Sequence, residues 1–315
     1  MQMKVAFLDT VHHILIDRLD ASGYSCDELY DTSREDIING ALTDYHGVVL
    51  RSRLTLDARL LAALPNLKWI ARSGSGLENI DVEEAEARGI TVHNSPEGNR
   101  DTVGEHAIGL LLMLLHKLRS GDKSVHERKW LREEHRGEEV SNKVVGIIGY
   151  GCMGSAFAEK LRGFGCKVIA YDKYKEGFSS DVVEEVSEDD FFKYSEVVSV
   201  HVPETAETRG MVDGVWLRRF KNQIIFLNTS RGAVVKTSDL LDAMDDGIVR
   251  SAGLDVLEFE ESALEGLELD EKSKATLERL LANDQILITP HVAGWSVESY
   301  YKLSSVLADK ILALS

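Results

Sequence analysis

The feature that most constrains the fold is a glycine-rich turn between an apolar segment and a helix-forming segment. Residues 144–148 are apolar, Gly149-Tyr-Gly151-Cys152-Met153-Gly154 follows, and residues 155–162 have a helix-forming composition. In a turn of this kind the first glycine permits a sharp bend and the second lets a ligand approach the backbone. The third lets the helix pack closely on the strand. The sequence therefore predicts a strand–turn–helix unit of a parallel α/β domain.

An acidic residue at the end of the next apolar segment completes the motif. Asp172 follows residues 168–171, about one βαβ unit after the glycines. Amides at the start of a helix bind phosphate groups. A carboxylate in this position accepts hydrogen bonds from ribose hydroxyls and repels a 2′-phosphate. The whole pattern predicts NAD as the cofactor, with the turn residues Gly149, Gly151, Cys152, Met153 and Gly154 and the acid Asp172 forming its site.

Length, charge and cysteine content restrict the class of protein. A chain of 315 residues is long enough for two domains, and a formal net charge of -17 disfavours nucleic acid and anionic membranes as partners. An anionic small-molecule substrate would then need a local basic pocket. None of the three cysteines has metal-ligand spacing, so no metal is predicted. The N-terminus has no secretory pattern and the apolar run at 107–115 is shorter than the ~20 residues of a membrane span, so we expect a cytoplasmic protein.

Strand-like and helical patterns alternate along the chain, which predicts two Rossmann-like, doubly wound α/β domains with parallel sheets. The first domain has predicted strands at 5–8, 47–50, 69–72 and 90–93, and helices at about 13–21, 34–41, 57–63 and 82–87. A helix at 102–118 and an arm or loop at 119–142 come next. The second domain has predicted strands at 144–148, 167–171, 197–201, 224–228, 253–256 and 286–288. A final helix at 297–313 is expected to return to the first domain, giving a substrate domain of 1–98 and 297–315 and a cofactor domain of 99–296.

Three candidate catalytic side chains follow three different predicted strands. Arg231 comes after residues 224–228, Glu260 after 253–256 and His291 after 286–288. Ligands of doubly wound sheets bind beyond the carboxyl ends of the strands, so we expect these side chains to converge. Hydride transfer to a 2-oxo acid needs a cation for the carboxylate, a proton donor for the carbonyl oxygen and an anion that orients the donor. Arg231, His291 and Glu260 suit these tasks in that order.

With these residues, the chain resembles the NAD-dependent D-isomer-specific 2-hydroxyacid dehydrogenase family. The resemblance covers nearly the whole chain and rests on motifs at 72–81, 99–105, 149–154 with Asp172, 201–203, 228–232, 254–260 and 289–291. It implies that Arg231, Glu260 and His291 are catalytic, that the active site lies in a cleft between two domains, and that the cofactor domains form a homodimer. It also implies cofactor contacts at Thr102, His201, Pro203, Thr229, Asp255 and Gly294, with Asp255 and Thr102 at the nicotinamide carboxamide.

The first domain supplies candidate substrate-binding residues. Arg51 and Arg72 end neighbouring predicted strands, and by the resemblance Gly74-Ser75-Gly76 forms a nest of backbone amides for the substrate carboxylate. The full predicted set is Arg51, Ser52, Arg72, Ser73, Gly74, Ser75 and Gly76. The two arginines are similar to those that bind phosphate in the D-3-phosphoglycerate dehydrogenases of this family. Glyoxylate or hydroxypyruvate reduction, and a non-catalytic NAD(H)-sensing protein, remain as alternatives.

Two aromatic residues are each left with two interpretations. Trp130, in the predicted arm, anchors this segment either on a partner subunit or on its own domain. Trp295 follows Gly294, where the family often has a small or polar residue. It either narrows the substrate pocket or packs between domains.

Overall fold

The computed structural model describes residues 2–260, 266–267 and 269–313 of the chain. These residues form two compact units, each of which contains one sheet. The first unit includes residues 2–100 and 295–313, and the second includes 101–260 and 269–294. Every pair of neighbouring strands in both sheets is parallel, which confirms the predicted fold class.

The first unit contains a five-stranded sheet with the order β2-β1-β3-β4-β5. Its strands are β1 (Lys4–Phe7), β2 (Ser25–Glu28), β3 (Gly47–Leu50), β4 (Trp69–Arg72) and β5 (Thr91–Asn94). Its connecting helices are α1 (Ile14–Ala21), α2 (Arg34–Ile38), α3 (Ala58–Ala62) and α4 (Val82–Ala87). Asp81 caps α4 as expected, by accepting a hydrogen bond from the Glu84 amide. The strand order is that of flavodoxin-like sheets, so ligands are expected at the carboxyl ends of β1 and β3.

The second unit contains a seven-stranded sheet with the order β12-β11-β10-β9-β6-β7-β8. Its strands are β6 (Val144–Ile148), β7 (Lys167–Tyr171), β8 (Glu184–Glu185), β9 (Val197–Val200), β10 (Ile224–Asn228), β11 (Val249–Leu254) and β12 (Ile286–Ile288). Counted from β6, this is the Rossmann order with one added strand. The chain reverses direction across the sheet between β6 and β9, and the glycine turn follows β6 at this switch point.

Helices complete the two units. They are α5 (Pro96–Leu115), α6 (Leu118–His126), α7 (Cys152–Leu161), α8 (Glu188–Tyr194), α9 (Gly214–Leu217), α10 (Thr237–Asp245), α11 (Glu271–Leu281) and α12 (Val297–Leu312). The last helix packs its apolar face on the first sheet and on α1, where Leu307 and Ile311 are fully buried beside Leu15. None of the helices within the described ranges has both the length and the apolar content that a membrane crossing needs.

The segment at 119–142 differs from its prediction as an arm or loop, because its first eight residues belong to α6. The high charge of this segment concealed a helix with apolar residues on one face. Trp130 follows that helix with 78% of its surface exposed. The interpretation that Trp130 is buried within its own chain is therefore wrong. An exposed indole of this size is available to another molecule.

Candidate active site

The glycine turn has the geometry that its three positions predict. Gly149 adopts φ 88°, and a Cβ there would lie 2.8 Å from the His201 carbonyl oxygen. A Cβ on Gly154 would overlap the Gly149 carbonyl, which explains how α7 packs so closely on β6. A Cβ on Gly151 would meet nothing within 4 Å. The middle glycine therefore faces open space at the start of α7, where a phosphate group can approach the helix amides.

Asp172 organises the loop beside this turn. Its carboxylate accepts hydrogen bonds from the backbone amides of Tyr150 (2.8 Å), Tyr174 (2.9 Å) and Lys175 (3.1 Å). A carboxylate has about four lone-pair positions, so the side chain keeps acceptor capacity for ribose hydroxyls. The acid thus links the loop after β7 to the glycine turn after β6.

Two buried polar atoms near neighbouring strand ends have no hydrogen bond within the described residues. The Oγ1 atom of Thr229, just after β10, is buried without a hydrogen bond, and so is the Nδ1 atom of His201, just after β9. His201 Nε2 is 2.9 Å from Ser199 Oγ. Burial lowers the pKa of His201 to about 4, which keeps its ring neutral. An unpartnered buried hydroxyl at a strand end of this sheet fits a site that is completed by a ligand.

His291 and Glu260 form a direct pair at the other side of this sheet edge. His291 Nδ1 lies 2.8 Å from Glu260 Oε2, and the second carboxylate oxygen accepts the Leu257 amide at 2.6 Å. The carboxylate is therefore fixed from both sides, and it selects the tautomer with a proton on Nδ1 when the ring is neutral. His291 Nε2 makes no hydrogen bond to any described residue and is free for a substrate oxygen.

Arg231 is brought to the same edge by strand register. Asn228 pairs with Leu254 across β10 and β11, and Leu254 pairs with Ile288 across β11 and β12. Arg231 and His291 each follow three residues after these aligned positions, on strands that flank β11. The loop after Arg231 packs closely against the loop before Glu260. Gly232 makes this approach possible, since a Cβ at this position would overlap the Leu257 carbonyl. The sheet therefore places the three predicted catalytic residues around one edge.

Asp255 holds the backbone of the turn that carries His291. It is almost completely buried, and its carboxylate accepts hydrogen bonds from Thr289 Oγ1 (2.5 Å), the Val292 amide (2.9 Å) and the Ala293 amide (2.7 Å). Its backbone carbonyl accepts the His291 amide at 2.8 Å. These bonds hold His291 at φ 53°, a conformation that residues other than glycine rarely adopt.

Two supporting residues of this site, His106 and Asn228, were not among the predicted site residues. His106 Nε2, on α5, lies 3.0 Å from Thr289 Oγ1 and 3.5 Å from Asp255 Oδ1. Asn228 is buried at the end of β10, accepts hydrogen bonds from Ser230 and donates to the Arg231 carbonyl at 3.0 Å. A polar residue that ends an apolar strand was a usable signal for Asn228. His106 had no comparable signal, because it only interrupts an apolar helix.

In the first unit, the structure brings Arg72 and the predicted nest together. A Cβ on Gly74 would overlap the Arg72 guanidinium, so this glycine is what allows the arginine to lie against the turn. No described residue accepts a hydrogen bond from the backbone amides of Gly74, Ser75 or Gly76. A guanidinium beside three available amides is suited to an anion.

Arg51 lies one strand away, and its loop is held by residues that the sequence did not single out. Asp9 accepts the Arg51 amide at 2.5 Å, and Asn79 donates to the Arg51 carbonyl at 2.9 Å. Arg53 is ion-paired with Asp9 at 3.2 Å and donates to the Leu8 and Thr32 carbonyls. Arg53 therefore has a structural part, whereas the Arg51 guanidinium is engaged by no carboxylate among the described residues.

Comparison with known proteins agrees with this geometry. A profile of the D-isomer specific 2-hydroxyacid dehydrogenase, NAD binding domain, matches residues 108–293. The chain belongs to this family. The D-3-phosphoglycerate dehydrogenase of Archaeoglobus fulgidus is 33% identical over 315 residues, which cover 99% of this chain and 57% of that protein. The hydroxypyruvate reductase of Thermotoga maritima is 36% identical over 265 residues, or 84% of this chain and 83% of that protein.

Among solved structures, a D-lactate dehydrogenase from Aquifex aeolicus complexed with NAD and lactic acid is similar over nearly its whole length. It has a TM-score of 0.82 and 25% identity, and the match covers 99% of this chain and 95% of that chain. The chain spans about half the length of several phosphoglycerate dehydrogenases that it matches, at 52% and 57% in two cases.

The remaining predicted residues of this 2-hydroxyacid dehydrogenase family member are distributed along the same strand ends and turns. Cys152 and Met153 begin α7, Pro203 follows β9, Gly294 closes the turn after His291, and Thr102 lies on α5. Ser52 and Ser73 directly follow Arg51 and Arg72. No group of three or more potential metal-ligating side chains occurs in the part of the chain that the structure describes.

Proposed function

We propose that this chain is an NAD-dependent D-2-hydroxyacid dehydrogenase. The observation that carries the proposal is the pair of His291 and Glu260, 2.8 Å apart, on the sheet edge that also holds Arg231. A histidine oriented by a carboxylate can exchange a proton with a substrate oxygen, and an arginine can bind a carboxylate. This combination is what a 2-oxo acid and its 2-hydroxy acid both need.

The chain's own residues divide the reaction between them. During reduction, Arg231 binds the carboxylate of the 2-oxo acid and polarises the neighbouring carbonyl group. His291 donates a proton from Nε2 to the carbonyl oxygen, which becomes the hydroxyl group. Glu260 accepts a hydrogen bond from the Nδ1–H group of His291, and its negative charge balances the charge of the imidazolium. In oxidation, His291 takes the hydroxyl proton through the same nitrogen.

The cofactor is NAD, and the residues of the second unit fit it. When bound, it supplies the hydride for reduction or accepts the hydride in oxidation. Gly149, Gly151 and Gly154 leave the start of α7 open to the pyrophosphate, and Asp172 retains acceptor capacity for the ribose. Thr229 offers an unpartnered buried hydroxyl at the same edge. Thr102, His201, Pro203, Asp255 and Gly294 complete the proposed cofactor contacts.

The substrate-binding domain in our proposal comprises residues 1–98 and 297–315, and its binding residues lie in the first unit. Arg51, Arg72 and the amides of Gly74–Gly76 make a basic edge in a chain whose net charge is -17. This composition suits a substrate with two anionic groups, such as 3-phosphohydroxypyruvate. The similarity to a hydroxypyruvate reductase over 83% of that protein's length supports the unphosphorylated analogue as the second candidate.

We further propose a cytoplasmic homodimer formed through the second units. Support for the dimer comes from exposed apolar side chains on and after α6, at Leu118, Val125 and Trp130. None of the three cysteines forms a disulfide bond within the described residues, which fits a reducing compartment.

A substrate panel tests the proposal. The purified chain is mixed with NADH and, in turn, with 3-phosphohydroxypyruvate, hydroxypyruvate, glyoxylate and pyruvate, and the loss of NADH absorbance is followed. Turnover of at least one 2-oxo acid is expected. NADH binding without turnover of any of them would contradict the proposal and support an NAD(H)-sensing protein.

A further inference from the structure

Trp295 lies against Arg51 in the first unit. The guanidinium carbon of Arg51 is 4.4 Å from the centre of the indole ring, within the range of a cation–π interaction. Both residues belong to the same compact unit. The indole is 49% exposed, so it covers the arginine without being part of the core.

Arg51 is a half-buried cation whose charge is left for a ligand. The guanidinium is partly removed from water, and this burial lowers the pKa of Arg51 below its ordinary value. Asp9 accepts the Arg51 backbone amide and is already ion-paired with Arg53. The three groups together carry a net charge of +1. A desolvated cation without a carboxylate of its own is expected to bind an anion.

The indole is suited to prepare Arg51 for this anion. A ring face attracts a guanidinium without supplying an oxygen acceptor, so the N–H donors remain available for bidentate contacts. The ring also excludes water from one side, which strengthens the attraction between the guanidinium and an anion on the other side.

Trp295 is itself held in place by its neighbours. Its ring meets Tyr300 edge-to-face at 5.7 Å, and Tyr300 meets His12 in the same way at 5.6 Å. The next residue, Ser296, caps α12 through a reciprocal capping box with Ser299. The indole therefore projects from a fixed helix start, at the carboxyl edge of the sheet that carries Arg51.

We propose that Trp295 is a specificity-determining residue, which holds Arg51 as the receptor for a second anionic group on the 2-oxo acid. This inference rests on the proposed function and adds the residue that selects a doubly anionic substrate over a singly anionic one. The second group is a phosphate or a carboxylate, both of which a guanidinium binds through two hydrogen bonds. Of the two interpretations that the sequence left open for Trp295, the contact with Arg51 supports the substrate pocket.

The test compares substrates that differ in this second anion. Steady-state kinetics of the wild type, Trp295→Ala and Trp295→Phe are measured with hydroxypyruvate, 3-phosphohydroxypyruvate and 2-oxoglutarate. Trp295→Ala is expected to lower kcat/KM for at least one doubly anionic substrate by about three- to thirtyfold, mostly through KM, the range expected for a lost cation–π contact. Its effect on hydroxypyruvate should be less than about twofold on the same basis. Trp295→Phe, which keeps a ring face, should retain most of the wild-type kcat/KM for the same substrate.

Two controls separate this role from a general loss of structure. Val297 is two residues from Trp295 and 86% exposed, so Val297→Ala should leave kcat/KM for all three substrates unchanged. Combining Trp295→Ala with Arg51→Gln should give little further loss beyond Arg51→Gln alone, because the indole acts through the guanidinium. The substrate whose KM rises identifies the second anion as phosphate or carboxylate.

A binding experiment without turnover keeps the inference separate from the proposed function. The tryptophan fluorescence of the protein is titrated with 3-phosphoglycerate, and Trp295→Phe should lose a change that the wild type shows. An equal loss of kcat/KM on all three substrates in Trp295→Ala, or additivity with Arg51→Gln, would overturn the role of Trp295 and leave the dehydrogenase function intact. Failure of the wild type to reduce any 2-oxo acid would instead overturn the proposed function.

Discussion

His291 combines a proton-transfer position with an unfavourable backbone conformation. Its φ of 53° is held by hydrogen bonds from its amide to the Asp255 and Thr289 carbonyls. A left-handed conformation in a residue with a Cβ costs roughly 1–3 kcal/mol, and such strain often occurs at functional sites. The turn therefore gives up some stability to direct the ring toward Glu260.

We predict that His291→Ala lowers kcat by about 10²–10⁴-fold, the usual contribution of acid–base catalysis. Glu260→Gln, which keeps a hydrogen-bond acceptor but removes the charge, should lower kcat by less. Both are measured by single-turnover NADH oxidation, with NADH binding followed separately by fluorescence. His126→Ala, an exposed histidine on α6, is the control. Near-normal turnover by His291→Ala with intact NADH binding would remove His291 from the proton-transfer step.

The charge of Asp172 is expected to set the preference for NAD over NADP. Asp172→Asn no longer repels a 2′-phosphate, although its single carboxamide oxygen replaces only one of the two oxygens that accept the Tyr150, Tyr174 and Lys175 amides. The ratio of Kd for NADPH to Kd for NADH should fall by roughly tenfold or more, as expected when one repulsive contact is removed. Isothermal titration with both nucleotides measures this ratio, and an unchanged ratio would place the specificity elsewhere.

At the residue scale, the sequence identified side chains whose chemistry is distinctive but not those that support them. Arg231, Glu260 and His291 could be selected because each closely follows a predicted strand and carries a reactive group. Asp9 and His106 could not, because their importance depends on contacts with residues 42 and 183 positions away. No local pattern in the sequence records such contacts.

At the element scale, the glycine turn permits a paired test of fold and ligand binding. Gly154→Ala would place a Cβ against the Gly149 carbonyl, so the separation of α7 and β6 must increase, whereas Gly151→Ala meets only open space. We predict that Gly154→Ala lowers the free energy of unfolding by about 1–3 kcal/mol, as overpacking does. Gly151→Ala should leave it nearly unchanged but weaken NADH binding at least tenfold, because the methyl group occupies the phosphate approach.

Thermal unfolding and NADH titration of the two variants check this pair. A stable Gly154→Ala protein would show that α7 is not closely packed on β6. Full NADH affinity in Gly151→Ala would show that the pyrophosphate does not approach this glycine.

The elements that the sequence predicted well are those with a buried apolar centre. Central strands such as β9 and β10 are fully buried and apolar except for Ser199 and Asn228, and they were found with nearly correct ends. Strands β2 and β8 lie at sheet edges, where one side is unpaired, and their sequences Ser-Cys-Asp-Glu and Glu-Glu have no strand signal. Helix α6 was missed because its exposed charges outnumber its apolar residues.

At the scale of the whole molecule, acid sensitivity follows from the buried His201. Burial lowers its pKa to about 4 in the folded protein, whereas an unfolded histidine has an ordinary pKa of about 6.5. The unfolded state therefore binds more protons between these values, and stability falls as the pH falls through this window. This histidine alone should lower the free energy of unfolding by about 2 kcal/mol between about pH 7.5 and about pH 5.

Denaturant unfolding at both pH values, in wild type and His201→Gln, measures this contribution. The comparison concerns the pH dependence of stability, which should be smaller in the variant, and not its absolute stability. His126→Gln, on the surface, should keep the wild-type dependence. The same pH dependence in His201→Gln would assign the acid sensitivity to other groups.

The exposed apolar side chains of the second unit predict that the molecule assembles into a dimer. Trp130, 78% exposed, lies near Leu118 and Val125 in sequence, and exposing these large apolar side chains to water is unfavourable unless a partner covers them. Trp130→Glu would place a charge in the proposed interface and should convert a dimer into monomers. Sedimentation velocity measures this change. Val215→Glu introduces the same charge at a residue that is 75% exposed on α9, and it should remain dimeric. A monomeric wild type, or a dimeric Trp130→Glu protein, would show that this surface does not join two subunits.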